Sequence, residues 1–300
     1  WVHLLSLCKR SPLESFMEVP MSLTVLVTGA TAGFGHAIAT RLVRDGHRVI
    51  ATGRRAERLE TLHKELGDAL LPFPLDMTDK EALRALPESL PEGWQIVDVL
   101  VNNAGLALGM EPAQEAKVEN WETMIATNIS GLIEITHALL PGMVERNSGY
   151  VLTLGSTAGT YPYTGGNVYG ATKAFVRQFS QNLRTDLLGK RIRVTDIEPG
   201  LCGGSEFSNV RLKDNGKAAD VYKDTTPLTP EDIAETVSWL IGLPWHMNVN
   251  TMEIMPVCQA SGGLAVNRQV GRNWCSIPSE NHGRQQISPL RLQNRRSGRA

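Results

Sequence analysis

Residues 24–44 read TVLVTGATAGFGHAIATRLVR, a β-branched apolar run, a loop with three glycines and a helical pattern. Gly29, Gly33 and Gly35 let the chain turn sharply, bring its backbone near a pyrophosphate and pack the helix closely on a sheet. The spacing is GxxxGxG, and its place after a first strand indicates a nucleotide site at the helix start. We predict that this loop binds the nucleotide through Gly29, Ala30, Thr31, Ala32, Gly33, Phe34 and Gly35.

Outward from this loop, short apolar runs alternate with longer segments of 3.6-residue period, which is typical of a parallel sheet with helices on both faces. Strands are predicted at residues 23–28, 48–52, 71–75, 97–102, 150–155, 192–197 and 251–255. Gly46 predicts the end of the first helix, and Thr229 followed by Pro230 predicts the start of a late one. We therefore predict an α/β fold, a Rossmann-like doubly wound parallel sheet of about seven strands, as a single domain over residues 21–268.

The composition excludes several classes of protein. The 300 residues are 42% hydrophobic and 20% charged, which excludes a disordered or fibrous chain. The net charge is −1, to which residues 269–300 contribute +5, so residues 21–268 carry −6 and offer no general surface for nucleic acid. The four cysteines are far apart, without a CxxC pair, and no apolar run is long enough to span a membrane. We expect a cytoplasmic protein with no zinc site and no disulfide framework.

The two ends of the chain lack the periodicity of the central part. Residues 1–20 have no initiating Met and precede Met21, which stands just before the first predicted strand, so we expect a non-native or disordered extension. Residues 269–300 combine six Arg with many polar residues and are predicted to be a disordered tail, with a nucleic-acid or membrane arm as the alternative.

The end of the second strand distinguishes between two dinucleotides. Gly53 is followed by Arg54 and Arg55, where NAD would favour an acidic side chain that binds the ribose hydroxyls. Two guanidinium groups suit a 2′-phosphate, because they bind it through charge-assisted hydrogen bonds. NADP is the predicted cofactor. The alternative is that these arginines belong, with Glu57 and Arg58, to a solvated helix start.

Three side chains form a predicted catalytic set. Tyr169 and Lys173 lie four apart in the helical pattern NVYGATKAFVRQF, so both project from one face. Ser156 follows the apolar run YVLTL, at the strand end where open α/β sheets bind ligands. Oxidising an alcohol needs a base, and a phenol of pKa about 10 is a poor one. We expect the Lys173 ammonium to lower the pKa of Tyr169, and Ser156 and Tyr169 to bind the substrate oxygen.

These motifs, together with NNAG at 102–105, Asn128 and the PG pair at 199–200, resemble the short-chain dehydrogenase/reductase family over nearly all of residues 21–268. The resemblance implies hydride transfer between NADP(H) and a hydroxyl or carbonyl carbon, and a homotetramer with the helices of Asn128 and Tyr169 at its contacts. Asn128 would hold a water that relays a proton from Lys173. Further cofactor contacts are implied for Asp76, Met77, Asn103, Tyr169, Lys173, Pro199, Gly200 and Leu201.

Several stretches, among them NNAGLALGMEPA and IEPGLCGGSEFSNVR, are similar to the bacterial NADP-dependent 3-hydroxy acid dehydrogenases within that family. This similarity implies a small hydroxy-acid substrate: L-allo-threonine, L-serine or 3-hydroxypropionate for oxidation, and malonic semialdehyde for reduction. Residues 201–228 are polar and glycine-rich and are the predicted substrate lid. Arg177 and Arg211 are candidates for binding the substrate carboxylate.

Two other functions remain open: a reductase of 3-oxoacyl thioesters with a wider lid, and a catalytically silent protein that senses NADP(H). The seven His are scattered without an HExxH spacing, so no metal is predicted.

Overall fold

A parallel sheet of seven strands forms the centre of the computed structural model, which describes residues 22–261 and 264–268. The strands are β1 (Thr24–Val27), β2 (Arg48–Gly53), β3 (Leu70–Pro74), β4 (Val99–Asn102), β5 (Gly149–Leu154), β6 (Ile192–Pro199) and β7 (Thr251–Ile254). Their order in the sheet is β3-β2-β1-β4-β5-β6-β7, and all neighbouring pairs are parallel. The predicted Rossmann-like α/β fold is confirmed.

Helices connect the strands and cover both faces of the sheet. Within the described residues they are α1 (Gly33–Arg44), α2 (Ala56–Leu66), α3 (Lys80–Ser89), α4 (Val118–Ile125), α5 (Leu132–Glu145), α6 (Asn167–Asp186), α7 (Phe207–Leu212), α8 (Asn215–Tyr222) and α9 (Pro230–Gly242). A π-helical segment, Ala126–Gly131, joins α4 to α5.

The core consists of one apolar cluster on each face of the sheet. Val25 and Val27 of β1 pack with α1 and α9, whereas Leu26 packs on the opposite face with α3 and α5. This division follows from the alternation of side chains along a strand. All residues of β1 and β4 are buried, which explains why these strands read as continuous apolar runs.

The start of α9 and the end of α1 lie where the sequence predicts them. Thr229 accepts a hydrogen bond from the Asp232 backbone N–H, and the Asp232 carboxylate accepts one from Thr229, so a capping box opens α9 with Pro230 at its first position. Helix α1 ends at Arg44, and Gly46 has a φ of +89° and donates to the Val43 carbonyl. Both predicted helix boundaries are confirmed.

The sheet order places a crevice at the carboxyl ends of β1 and β4, where the chain crosses to opposite faces. The predicted lid, residues 201–228, contains the short helices α7 and α8. The predictions for residues 1–20 and 269–300 lie outside the described residues. Among the helices that the structure describes, none is long and apolar enough to cross a membrane.

Candidate active site

A cavity of about 680 Å³ opens at the carboxyl ends of the central strands. The glycine loop after β1, the arginines after β2 and the residues that follow β3, β5 and β6 all contribute to its walls. The predicted catalytic side chains line the same cavity: Ser156, Tyr169 and Lys173. One cavity therefore contains most of the nucleotide-binding and catalytic residues that the sequence predicts.

The glycine loop is shaped by close backbone contacts. Gly29 has a φ of +70° and Gly33 a φ of +53°, which other residues adopt rarely. A Cβ on Gly35 would lie 2.3 Å from the Gly29 carbonyl oxygen and 2.5 Å from the Asn103 Nδ2 atom. Helix α1 begins within this loop, and its N-cap residue, Ala32, makes no side-chain hydrogen bond to it. The first N–H groups of α1 are therefore available to an anion.

Three of the predicted site residues lie behind the cavity wall instead of lining it: Ala30, Gly35 and Asn128. Ala30 is fully buried, and its N–H donates to the Thr52 carbonyl at 2.8 Å. Gly35 packs against the loop backbone. Ala30 and Gly35 therefore shape the loop, and direct contacts of these two residues with the cofactor stay a prediction.

The two arginines after β2 have different surroundings. Arg55 donates from Nε and Nη2 to the Thr31 hydroxyl, at 3.2 and 2.8 Å, and from Nη1 to Glu206 at 2.9 Å. Arg54 is exposed, lines the cavity and makes no hydrogen bond or ion pair within the described part of the chain. Arg58 also binds Glu206, at 2.9 Å. Glu206 comes from the predicted lid, and no motif indicated that it would meet these arginines.

Three predicted cofactor residues after β3 and β4 also line the cavity. Asp76 accepts hydrogen bonds at 2.9 Å from the backbone N–H and the hydroxyl of Thr78, which holds its carboxylate in a turn. Met77 is buried beside it. Asn103 donates from Nδ2 to the Thr28 carbonyl at 2.7 Å and so links the end of β4 to the glycine loop.

Pro199, Gly200 and Leu201 form the cavity wall after β6. The Leu201 N–H donates to Gln259 at 2.7 Å, and a Cβ on Gly200 would lie 2.3 Å from the same Gln259 oxygen. Gln259 therefore fixes the backbone where the predicted lid begins.

Tyr169 and Lys173 project from α6, and Ser156 stands two residues beyond β5. The Tyr169 hydroxyl interacts with Ser156, and the Ser156 oxygen also accepts a hydrogen bond from the Ala158 N–H at 3.1 Å. Lys173 donates to the Leu154 carbonyl at 2.6 Å, with its Nζ atom 5.9 Å from the centre of the Tyr169 ring. The helix and the strand end thus bring the three groups together.

Burial controls the charge states in this cluster. It raises the pKa of Tyr169 well above its usual value, with Tyr163 acting in the same direction and the hydrogen bond with Ser156 opposing both. It lowers the pKa of Lys173 to about 8, although Asp196 opposes this effect. The expected net lowering of the Tyr169 pKa is corrected, because desolvation of the phenol outweighs the effect of the surrounding charges, and Lys173 directs its ammonium toward the Leu154 carbonyl.

Asn128 lies in the π-helical segment between α4 and α5 and is buried. Its side chain accepts from the Leu106 N–H and donates to the Leu106 carbonyl, both at 2.9 Å, and donates to Thr172 at 3.1 Å. A Cβ on Gly105 would lie 3.4 Å from the Asn128 oxygen and 3.6 Å from the Lys173 Nζ atom. Asn128 therefore lies close to Lys173 and positions the loop after β4.

The two candidate partners for a substrate carboxylate lie in different places. Arg211 lines the cavity, donates at 3.1 Å to the carbonyls of Gly109 and Gly165, and lies 5.4 Å from the centre of the Tyr169 ring. Arg177 does not line it: its Nε atom lies 3.3 Å from Glu198. Arg177 is thus the partner of a buried carboxylate, whereas Arg211 faces the site.

Two buried acids on β6, which no sequence motif indicated, lie behind Lys173. Asp196 and Glu198 are two residues apart on one strand and are almost completely buried. Thr153 donates to Asp196 at 2.8 Å, and burial raises the pKa of Asp196 to about 7. Burial also raises the pKa of Glu198, which Arg177 opposes. Alternation of apolar and acidic residues in VTDIEPG was the signal that could have identified this pair.

The chain is similar in sequence to one family model and to several named dehydrogenases. Residues 23–215 match the family model described as short chain dehydrogenase. The NADP-dependent 3-hydroxy acid dehydrogenase of Escherichia coli K12 is 62% identical over 248 residues, covering 82% of this chain and 100% of that protein. Serine 3-dehydrogenase of Rhizobium radiobacter is 53% identical over 250 residues, covering 83% and 100%.

Solved structures give the same relationship. A serine dehydrogenase in its closed form, complexed with NADP+, is 62% identical and superposes with a TM-score of 0.79, covering 82% of this chain and 100% of that one. The 3-ketoacyl-(acyl-carrier-protein) reductase of Brucella melitensis, complexed with NADH, is 26% identical with a TM-score of 0.70, covering 77% and 96%.

Proposed function

Because the chain belongs to the short chain dehydrogenase family, we propose that it is an NADP-dependent 3-hydroxy acid dehydrogenase. It oxidises the hydroxyl of L-allo-threonine, L-serine or 3-hydroxypropionate, and it reduces 3-oxo acids such as malonic semialdehyde. The observation that carries this proposal is that Arg54, Tyr169 and Arg211 line a single cavity, in which Arg211 lies beside the Tyr169 ring. A cation beside the reacting groups suits a substrate that carries a carboxylate.

The residues around the cavity fit NADP. Backbone N–H groups of the glycine loop at the start of α1 suit the pyrophosphate, and a side chain at Gly35 would obstruct the loop's own backbone. Arg54 and Arg55 supply the cations for a 2′-phosphate. When bound, NADP supplies the hydride acceptor or donor. In this proposal Asp76, Met77 and Asn103 would contact the adenosine half, and Pro199, Gly200 and Leu201 would contact the nicotinamide half; all six residues line the cavity.

Tyr169 transfers the proton in this scheme. In the reductive direction its hydroxyl donates to the substrate oxygen as the carbonyl becomes an alcohol, and in oxidation the same oxygen receives the proton. Ser156 donates a hydrogen bond to that substrate oxygen and so stabilises developing negative charge. Lys173 stabilises the tyrosinate that proton donation leaves behind, because its ammonium lies on the same face of α6.

Asn128 and Arg211 complete the proposed site. Asn128 keeps the loop after β4 against Lys173 and provides the position for a water that exchanges protons with it. Arg211 binds the substrate carboxylate with N–H groups that its bonds to Gly109 and Gly165 leave over. These two bonds also hold the Arg211 guanidinium in the wall of the cavity.

We also propose a homotetramer with α4, α5 and α6 at the subunit contacts. Val118, Ile125 and Ile133 expose 55%, 43% and 37% of their surface along α4 and α5, and such apolar residues are often covered by a partner. Static light scattering that gives the mass of a monomer would contradict this arrangement.

The proposed function is tested by a panel of substrates with NADP+ and NAD+ side by side, followed at the absorbance of the reduced nicotinamide. We expect turnover of L-serine, L-allo-threonine and 3-hydroxypropionate with NADP+ as the preferred cofactor. The Tyr169→Phe variant should retain cofactor binding and lose activity by a factor of about 10² or more. Activity confined to an acetoacetyl thioester would favour the reductase, and no turnover of any substrate would favour the NADP(H)-sensing protein.

A further inference from the structure

The carboxylate of Glu206 binds two arginines at the edge of the cavity. One oxygen accepts from Arg55 and the other from Arg58, each at 2.9 Å. These hydrogen bonds lower the pKa of Glu206, so the carboxylate is charged near neutral pH. Glu206 directly precedes α7, within the segment 201–228 that forms the predicted lid. A lid carboxylate is thereby bound to an arginine that is proposed to bind the cofactor phosphate.

The residue before Glu206 contacts the glycine loop. A Cβ on Gly33 would lie 3.0 Å from the Ser205 Cβ atom. The residue after it, Phe207, packs against Tyr169 with ring centres 5.7 Å apart. Residues 205–207, which we call the lid anchor, therefore touch the phosphate-binding loop and the catalytic tyrosine together.

The arginine pair is asymmetric in this arrangement. Arg55 is engaged on both edges, by Thr31 and by Glu206, while Arg54 has no partner within residues 22–261 and 264–268. A carboxylate and a phosphate accept hydrogen bonds from a guanidinium in the same manner. Glu206 thus occupies an N–H group of Arg55 that a 2′-phosphate would use.

We propose that Glu206 is an internal competitor for the 2′-phosphate, so that seating this phosphate on Arg55 releases the lid anchor and Glu206 reduces the preference for NADP over NAD. The inference rests on the proposed NADP-dependent function. A phosphate monoester carries a charge of about −1.5 to −2 at pH 7, and it repels Glu206 if both remain on Arg55. NAD has a neutral hydroxyl at this position and leaves the Glu206 ion pairs in place.

The experiment compares the wild type with Glu206→Gln, using Asp220→Asn as the matched control. Asp220 is an exposed acid of α8 in the same lid, and no contact of its side chain with either arginine is present. Dissociation constants for adenosine 2′,5′-bisphosphate and for 5′-AMP are measured by calorimetry. These two ligands differ by the 2′-phosphate and lack the nicotinamide half, so lid closure over a substrate does not contribute.

We expect Glu206→Gln to bind the bisphosphate about two- to fivefold more tightly, because the exposed ion pair that competes with the phosphate is weak. Binding of 5′-AMP should change little in this variant, and Asp220→Asn should change neither ligand. The gain should shrink at high salt because the charges are exposed. Equal or weaker binding of the bisphosphate by Glu206→Gln would overturn the inference, since Glu206 would then support the phosphate or be indifferent to it.

Hydrogen exchange of the lid anchor supplies a second readout in the wild type. Its backbone amides should exchange faster with the bisphosphate bound than with 5′-AMP bound, and unchanged or slower exchange would contradict release. If the wild type binds the bisphosphate no more tightly than 5′-AMP, the proposed NADP dependence fails and the inference fails with it. If the wild type prefers the bisphosphate and Glu206→Gln has the same affinity, only the role of Glu206 fails.

Discussion

Arg211→Gln should remove discrimination in favour of acid substrates. In the structure Arg211 uses two of its five guanidinium N–H groups on the carbonyls of Gly109 and Gly165, which leaves three that make no hydrogen bond to the described residues. Glutamine retains a donor for one of these carbonyls and removes the charge. The variant therefore tests the charge of Arg211 more than its packing.

The size of the effect follows from the type of bond. A hydrogen bond to a charged group contributes about 1.5–3 kcal/mol, which corresponds to about a 10- to 150-fold change in kcat/KM. Loosening of the loops at Gly109 and Gly165 should lower activity on every substrate alike. The charge effect is therefore isolated by the ratio of kcat/KM for 3-hydroxypropionate to that for its uncharged amide.

The assay measures this ratio for the wild type, Arg211→Gln and Arg177→Gln. Arg177 is the matched control, because it pairs with Glu198 and does not line the cavity. We expect the ratio to fall at least about tenfold in Arg211→Gln and to stay unchanged in Arg177→Gln. An equal loss of activity on the acid and the amide would refute the assignment of Arg211 to the carboxylate.

Three further predictions concern stability and pH. Burial raises the pKa of Asp196 to about 7, so the folded state holds a proton that the unfolded state loses near pH 4, and wild-type stability falls as the pH rises between these values. The Asp196→Asn variant lacks this titration. Between pH 4 and 8 its free energy of unfolding, measured in urea, should rise by up to about 4 kcal/mol relative to that of the wild type; free energies of the two proteins that change in parallel with pH would contradict this. Gly131→Ala places a Cβ 2.2 Å from the Met77 carbonyl and should destabilise the fold by about 1–3 kcal/mol, whereas Gly142→Ala meets only the end of a flexible side chain and should be neutral or stabilising in thermal unfolding. The kcat/KM for reduction should fall as the pH rises past about 8, where Lys173 loses its charge. In Asp196→Asn this fall should occur at lower pH, because Asp196 supports the Lys173 ammonium; a pH profile of kcat/KM identical to that of the wild type would contradict this role.

The sheet could be predicted from the sequence because its signals are local. Each strand is a short apolar run, and the loop after β1 combines turn glycines with the start of a helix. The helices of the lid could not be predicted in the same way. Helix α7 has six residues, and α8 has eight and is held by Asp214 as its N-cap, so neither gives a long periodic pattern. Their place over the cavity depends on tertiary contacts.

The site was predictable where a motif specifies a position on the fold, as for Ser156, Tyr169 and Lys173. The site was not predictable where the role of a charged residue depends on which other side chains the fold brings next to it. Arg177 and Arg211 are both plausible in the sequence, and the rotation of α6 turns Arg177 toward Glu198. The expected low pKa of Tyr169 fails for a related reason: sequence spacing gives the neighbour of the phenol, whereas its desolvation depends on the whole surrounding fold.

The charge states of Tyr169 and Lys173 determine which proton transfer the site is prepared for. Burial raises the pKa of Tyr169, which keeps its hydroxyl protonated near neutral pH, and lowers the pKa of Lys173 to about 8, so that its amine is still mostly charged there. A protonated phenol with a cation nearby is prepared to donate a proton, which reduction of a carbonyl requires. Oxidation requires the phenol to lose its proton first, which the burial of Tyr169 opposes. The buried Asp196 carboxylate favours the Lys173 ammonium, and therefore the state in which Tyr169 donates a proton. The charges around Tyr169 consequently prepare it as the proton donor of the proposed reductive step, and in the oxidative step the same phenol must first lose its proton against the effect of burial.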